Sequence, residues 1–148
     1  MNVEAIIKTK KDIPLEARTI IHLTLVYNKI NEEMTVTLKP FGISIQQFNV
    51  LRILRGQGDQ PANLSTINDR MVTKMSNTTR LVDKLLAKNY VVRNVCPQNR
   101  RKVEIKITSK GLEVLNEIDG IKFEMEKNIL ANFTAAELKE LNSLLDKF

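Results

Sequence analysis

The strongest constraint on the fold is a short alternation of apolar and polar residues in a sequence whose other periodic segments are helical. In residues 102–108 (KVEIKIT), Val103, Ile105 and Ile107 recur with period two, which is the pattern of a strand with one buried face. Residues 90–96 (YVVRNVC) are rich in β-branched side chains, and the polar segment 97–101 (PQNRR) separates the two runs. The sequence therefore predicts a β-hairpin.

Helical patterns fill the chain before the hairpin. Asp12 is the predicted cap of a long helix that ends near residue 39, and Ser44 with Gln47 forms the S-x-x-Q capping box of a second helix. Ser65 is the predicted cap of a short third helix over 66–71. Thr73 is the predicted cap of a fourth helix that ends at residue 88, where Asn89 suits a left-handed backbone.

Two further helices are predicted after the hairpin. Thr108 or Ser109 caps a long helix that runs to about residue 131, and Thr134 with Glu137 forms a second capping box before the last helix. We therefore expect one mainly α domain over 1–148 with a small β-hairpin. The long terminal helices carry more apolar surface than one neighbour covers, which predicts a second subunit.

The positive charge is concentrated in one segment. The chain has a net charge of +6, and residues 70–110 contain eleven Lys and Arg against two acids, whereas the remaining residues contain twelve against fifteen. A basic segment in an otherwise mildly acidic protein favours an anionic polymer as partner.

The predicted layout is a helix pair followed directly by a hairpin, which is a winged helix-turn-helix. Residues of the fourth helix that fall outside its apolar set have side chains that reach base edges and phosphates when a helix end enters the major groove. They are Ser76, Asn77, Thr79, Arg80 and Lys84. Arg100 and Arg101, with Lys102 beside them, lie at the predicted hairpin tip, where long cationic side chains suit a narrow minor groove.

Two other binding functions fit the same layout. One is a winged-helix module that binds another protein, and the other is a non-specific DNA-binding protein. Tight duplex binding at near-physiological salt would argue against the protein-binding module. An affinity that varies little with DNA sequence and falls steeply with salt would identify the non-specific DNA-binding protein.

Residues 64–111 resemble the winged helix-turn-helix core of the multiple-antibiotic-resistance regulator (MarR) family. SNTTRLVDKLLAKNYVVR is similar to that family's recognition helix and first wing strand, and NRRKVEIKIT to its wing signature, D-x-R followed by alternating apolar residues and L-T. Asn99 stands in place of the wing aspartate, which puts the aim of Arg101 in doubt. Asn89 stands in place of a glycine, an exchange that the same backbone conformation tolerates.

The resemblance implies a transcriptional regulator of double-stranded DNA, and a homodimer that binds a pseudo-palindromic operator. The lack of a membrane-length apolar run and of a signal-peptide pattern predicts that it is cytoplasmic. The implied lobe spans 44–111, and the implied dimerisation helices span 12–39 and 112–148. Family members mostly act as repressors that release DNA when a small aromatic or phenolic ligand enters a cleft between the dimer helices and the lobe. By the same resemblance, the fourth-helix residues contact the major groove or its phosphates, and the wing arginines contact the minor groove.

The sequence offers little for catalysis, metal binding or membrane insertion. One histidine and one cysteine, His22 and Cys96, are too few for a zinc site or an evident nucleophile–base pair, so we expect no enzyme and no cofactor. His22 is expected to pack in a core or an interface, and Cys96 to fill apolar space. The chain has no apolar run long enough for a membrane span and no signal-peptide pattern.

Overall fold

The computed structural model describes residues 1–58, 60–72, 77–96 and 99–148, and for residues 96 and 99–102 it describes the backbone alone. Its mainly helical architecture with one hairpin confirms the predicted fold class. In chain order the elements are α1 (Val3–Ile6), α2 (Leu15–Leu38), a 3-10 turn (Lys39–Phe41), α3 (Ile45–Gly56), α4 (Leu64–Arg70), α5 (Thr78–Ala87), β1 (Val91–Cys96), β2 (Asn99–Ile107), α6 (Ser109–Ile129) and α7 (Ala135–Leu145).

The hairpin is antiparallel, with Val91 opposite Ile107 and a register shift at Val95 and Cys96. Its second strand begins earlier than predicted. Ala62 adds a one-residue bridge on the other side of β2: its N–H donates to the Ile105 carbonyl at 3.0 Å and its carbonyl accepts from the Ile105 N–H at 2.8 Å. The hairpin is therefore bonded to the segment before α4.

The alternating residues of β2 fasten the hairpin to the core as predicted. Ile105 is fully buried, and Val103 and Ile107 pack half-buried against the same cluster. That cluster also contains Phe48 and Leu51 of α3 and residues of α4, α5 and α6. Burying these side chains supplies most of the driving force that positions the lobe's elements.

Three predicted caps are confirmed. Ser44 and Gln47 form a reciprocal capping box, in which the Gln47 N–H donates to Ser44 Oγ and the Ser44 N–H donates to Gln47 Oε1. Thr134 and Glu137 form the second box at the start of α7. Of the two alternatives at α6, Thr108 is the cap, since its hydroxyl oxygen accepts from the Gly111 N–H at 3.0 Å.

Other predicted helix starts were wrong. Pro14, not Asp12, occupies the N-cap of α2, and no side chain caps it. Asn63, not Ser65, caps α4, because its side-chain oxygen accepts the Thr66 N–H at 2.8 Å and the helix begins at Leu64.

The start of the fourth predicted helix is described only in part. Thr73 lies outside the described residues, and the described helix begins at Thr78 with Asn77 at its N-cap. The short helix α1 was not predicted. Its Glu4 forms an ion pair with Arg18 of α2, with Oε1 2.6 Å from Nε.

The terminal helices contribute unequally to the core, since Met34 and Leu38 of α2 and Leu115 and Ile118 of α6 belong to the buried cluster. Helix α2 packs against α6, and α7 has no buried residue. Among the described residues, no helix is both long enough and apolar enough to cross a membrane.

Candidate nucleic-acid interface

Helix α5 presents most of its polar residues to solvent. Thr78, Val82 and Leu85 form its buried face, whereas four of the predicted DNA-contacting residues are exposed. These are Asn77, Thr79, Arg80 and Lys84. The structure therefore brings these four residues together on the exposed side of one helix and its N-cap. Ser76, the fifth member of the predicted set, lies outside the described residues.

A hydrogen bond joins α5 to the preceding helix. The Thr78 hydroxyl donates to Asn68 Oδ1 of α4 at 3.1 Å, and Thr78 is buried. A buried hydroxyl that loses its partner costs about 1–3 kcal/mol, so this bond fixes the two helices of the pair relative to each other. No pattern in the sequence predicts it, because the two residues belong to different helices.

An ion pair joins α5 to the hairpin. Arg93 of β1 donates through Nη2 to Asp83 Oδ1 at 2.7 Å, with the arginine side chain 30% exposed and the aspartate 53%. Asp83 lies between Arg80 and Lys84 in the sequence. The pair connects α5 to the first wing strand, and it directs Arg93 toward the protein.

The predicted wing contacts are placed only through their backbone. Arg100, Arg101 and Lys102 belong to β2, near its start. Their side chains lie outside the described part of the chain, as does that of Asn99, so their aim toward DNA stays a prediction.

The junction between α5 and β1 has a left-handed residue, as predicted. Asn89 has a φ of 59°, and its carbonyl accepts from the Thr108 hydroxyl at 2.8 Å. Tyr90 follows, with its ring near two ammonium groups: Lys110 Nζ lies 5.5 Å and Lys88 Nζ 6.0 Å from the ring centroid. Lys110 also donates to the Lys88 carbonyl at the end of α5, which satisfies a carbonyl that the helix leaves open.

The described residues contain no group of three His, Cys, Asp or Glu side chains that could hold a metal ion. His22 is half-buried in α2, and the side chain of Cys96 is outside the described part of the chain.

A cleft with a volume of about 360 Å³ lies between α2 and α6. It is lined by Lys29, Glu33, Thr37, Ile121, Glu124, Met125, Asn128 and Ile129.

Comparison with known proteins identifies the family. Residues 43–103 match the sequence profile of the MarR family. The HTH-type transcriptional regulator MhqR of Bacillus subtilis is 34% identical over 110 residues, which cover 74% of this chain and 72% of that protein. The chain belongs to the MarR family.

Solved structures agree with this assignment. A cysteine-to-serine mutant of MarR from E. coli, complexed with operator DNA, is 25% identical, with a TM-score of 0.75, and the match covers 90% of this chain and 93% of that one. BpsR of Bordetella bronchiseptica, whose DNA binding is regulated by 6-hydroxynicotinic acid, is 20% identical and shares the fold, with a TM-score of 0.77 and coverage of 93% and 96%. This MarR-family protein is a helix-turn-helix transcriptional regulator rather than an enzyme.

Proposed function

We propose that this MarR-family protein acts as a homodimeric, ligand-responsive repressor on a pseudo-palindromic operator. The observation that carries the proposal is the exposed polar face of α5, tied to the wing strand β1 through Asp83 and Arg93. Two such lobes related by a two-fold axis would place their α5 helices in successive major grooves, about 34–36 Å apart. The operator would then be an inverted repeat with half-sites one helical turn apart.

The residues of each lobe have different roles in this proposal. Ser76, Asn77 and Thr79 carry sequence preference, because short polar side chains at a helix start reach base edges. Arg80 and Lys84 bind phosphates and set affinity and register. At the hairpin, the cations Arg100, Arg101 and Lys102 enter the minor groove.

The division of the chain follows from the same proposal. Residues 44–111 form the DNA-binding lobe, and residues 12–39 and 112–148 form the dimerisation helices of one domain. Support comes from apolar side chains that the single chain leaves exposed: Leu15 and Tyr27 of α2 are 74% and 64% exposed, and Leu144 and Leu145 of α7 are 51% and 42% exposed. Large exposed apolar patches mark association surfaces.

The dimer is tested by placing charge on the apolar face of α7. The double variant Leu144→Glu/Leu145→Glu should shift the sedimentation coefficient to that of a monomer and weaken operator binding, since charged groups are not buried in an interface without partners. Ser143→Glu is the matched control, because it adds a charge to the same helix without removing an apolar side chain. An unchanged dimer in the double variant contradicts the proposed interface.

The proposed signal is a small organic effector of aromatic or phenolic type. Two features support it: the α2–α6 cleft has a volume within the range of small-molecule sites, and a protein of the same fold has its DNA binding regulated by 6-hydroxynicotinic acid. The cleft lies between two of the proposed dimerisation helices, whereas the family resemblance implied a cleft between those helices and the lobe. Titration with 6-hydroxynicotinic acid and simple hydroxybenzoates should shift the melting temperature and release a bound duplex.

The deciding experiment for the function is selection of bound duplexes from a random DNA pool at about 0.15 M salt, where weak electrostatic binding is already screened. Enrichment of an inverted repeat supports the dimeric regulator. Enrichment of a single half-site contradicts the two-fold arrangement.

A further inference from the structure

The arginines whose side chains the structure describes fall into two groups. Three of them form ion pairs: Arg18 with Glu4, Arg55 with Asp119 and Arg93 with Asp83. Within the described ranges, no carboxylate lies within ion-pair distance of the other three, which are Arg52, Arg70 and Arg80. Arg80 belongs to the exposed face of α5, which is already assigned to DNA. Arg52 and Arg70 therefore remain as cations available to bind an anion.

Arg52 and Arg70 line the same cleft. It has a volume of about 210 Å³ between α3 and the end of α4, and its other lining residues are Asn49, Ile53 and Val72. Arg52 and Ile53 follow Asn49 by three and four residues, so all three lie on one face of α3. Both arginines are exposed, and the Arg52 guanidinium also lies 5.7 Å from the Phe48 ring, which restricts its motion.

The cleft includes the end of α4, the helix that is hydrogen-bonded to the start of α5. Arg70 is the last residue of α4, and Met71, buried after it, fixes the chain to the core. Two residues before Arg70, the Asn68 side chain accepts the hydrogen bond from Thr78 at the start of α5. The distance from the cleft to the N-terminal turn of α5 is therefore set by the fold.

We propose that Arg52 and Arg70, with the Asn49 amide, clamp a phosphate of the operator backbone at the edge of the major groove that α5 enters. This inference rests on the proposed placement of α5. The guanidinium fork matches the geometry of phosphate oxygens, and within the described part of the chain neither exposed fork has an ion pair to give up on binding. The cleft is smaller than the roughly 300–1,000 Å³ of small-molecule sites, which favours the phosphate of a polymer over an enclosed ligand.

The test measures operator affinity as a function of salt for Arg52→Gln and Arg70→Gln. One phosphate contact contributes about 0.9 to the slope of log affinity against log salt, so each variant should lower the slope by up to about 0.9 and the affinity at 0.15 M salt by up to about fivefold. The double variant should lose no more than about 0.9 in total, because both arginines bind the same phosphate. The loss should be the same for operator and random duplexes, because a phosphate contact carries no sequence information. Arg52→Lys, which keeps the charge, should retain the slope.

Arg55→Gln is the matched control. Arg55 lies one turn along α3 from Arg52 and is paired with Asp119 at 2.5 Å, so its removal should leave the slope unchanged. Unchanged slopes in both cleft variants overturn the clamp. Arg80→Gln, measured in parallel, separates the two proposals: if it alone weakens binding, only the clamp fails, and if none of the three does, the placement of α5 fails as well.

Discussion

Replacing Gly111 by alanine should destabilise the fold, although alanine is the better helix former. A Cβ at Gly111 would lie 2.2 Å from the Tyr90 carbonyl oxygen and 2.8 Å from Ile107 Cγ1, whereas carbon–oxygen contacts are ordinarily about 3.3 Å or longer. The carbonyl is not free to move, because it accepts the Thr108 N–H at 3.0 Å. Overpacking costs about 1–3 kcal/mol, a lost hydrogen bond adds about 1, and the helix preference of alanine returns about 1, so the net loss is about 1–3 kcal/mol.

Gly120→Ala in the same helix is the matched control. Apart from its chain neighbours and the backbone of its own helix, no described residue has an atom within 4 Å of a Cβ at position 120, so this variant should gain about 0.5–1 kcal/mol from helix propensity. The measurement is urea unfolding at one fixed protein concentration, since the stability of a dimer depends on concentration. If Gly111→Ala is as stable as Gly120→Ala, the close approach of α6 to the Tyr90 carbonyl does not constrain the fold and the reasoning is wrong.

Three other outcomes are expected. Arg101→Ala should lower operator affinity by about 1–3 kcal/mol in a gel-shift titration, because it removes a cation from the wing; unchanged affinity at fixed salt refutes that role. The chain lacking residues 1–39 should sediment as a monomer and lose most specific binding, and a fully binding dimer would contradict this. Hydrogen bonds from the backbone and side chain of Thr134 lower the pKa of Glu137. The contribution of Glu137 to stability is therefore complete above about pH 4.3 and is lost as pH falls through its lowered folded-state pKa. The helicity of α7, followed by NMR, should decrease over that pH range. In Glu137→Gln, which has no carboxylate at this position, that decrease should be absent.

Local sequence patterns predicted which helices and strands form, but they predicted the first residue of several helices less well. The hairpin and both capping boxes depend on residues within a few positions of one another, so their signals are complete in the sequence. The predicted start of α4 was wrong because Asn63 and Ser65, two residues apart, are both good N-cap residues, and the apolar pattern does not decide between them. The Ala62 bridge to Ile105 is one residue long and leaves no periodic signal.

The contacts that support the candidate site could not be predicted from the sequence alone. The exposed residues of α5 were identified because they fall outside its apolar period. By contrast, Asp83 and Arg93 lie ten residues apart on different elements, and their pairing depends on how β1 packs beside α5. One signal was available: Asp83 is one of two acids in residues 70–110, where eleven Lys and Arg could pair with it. The meeting of Arg52 and Arg70 in one cleft has no such signal, because it depends on the packing of α3 against α4.

The first turn of α6 connects the terminal helices to the recognition unit. Thr108 donates its hydroxyl to the Asn89 carbonyl and its N–H to the Tyr90 carbonyl, and Lys110 donates to the Lys88 carbonyl at 3.2 Å. These three carbonyls occupy the junction where α5 ends and β1 begins. The backbone of α6 at Gly111 also lies so close to the Tyr90 carbonyl that a Cβ would not fit there, so the start of α6 is packed directly against this junction. Helix α6 also forms one wall of the cleft against α2, so the effector proposed for that cleft would contact the same helix whose first turn is hydrogen-bonded to this junction.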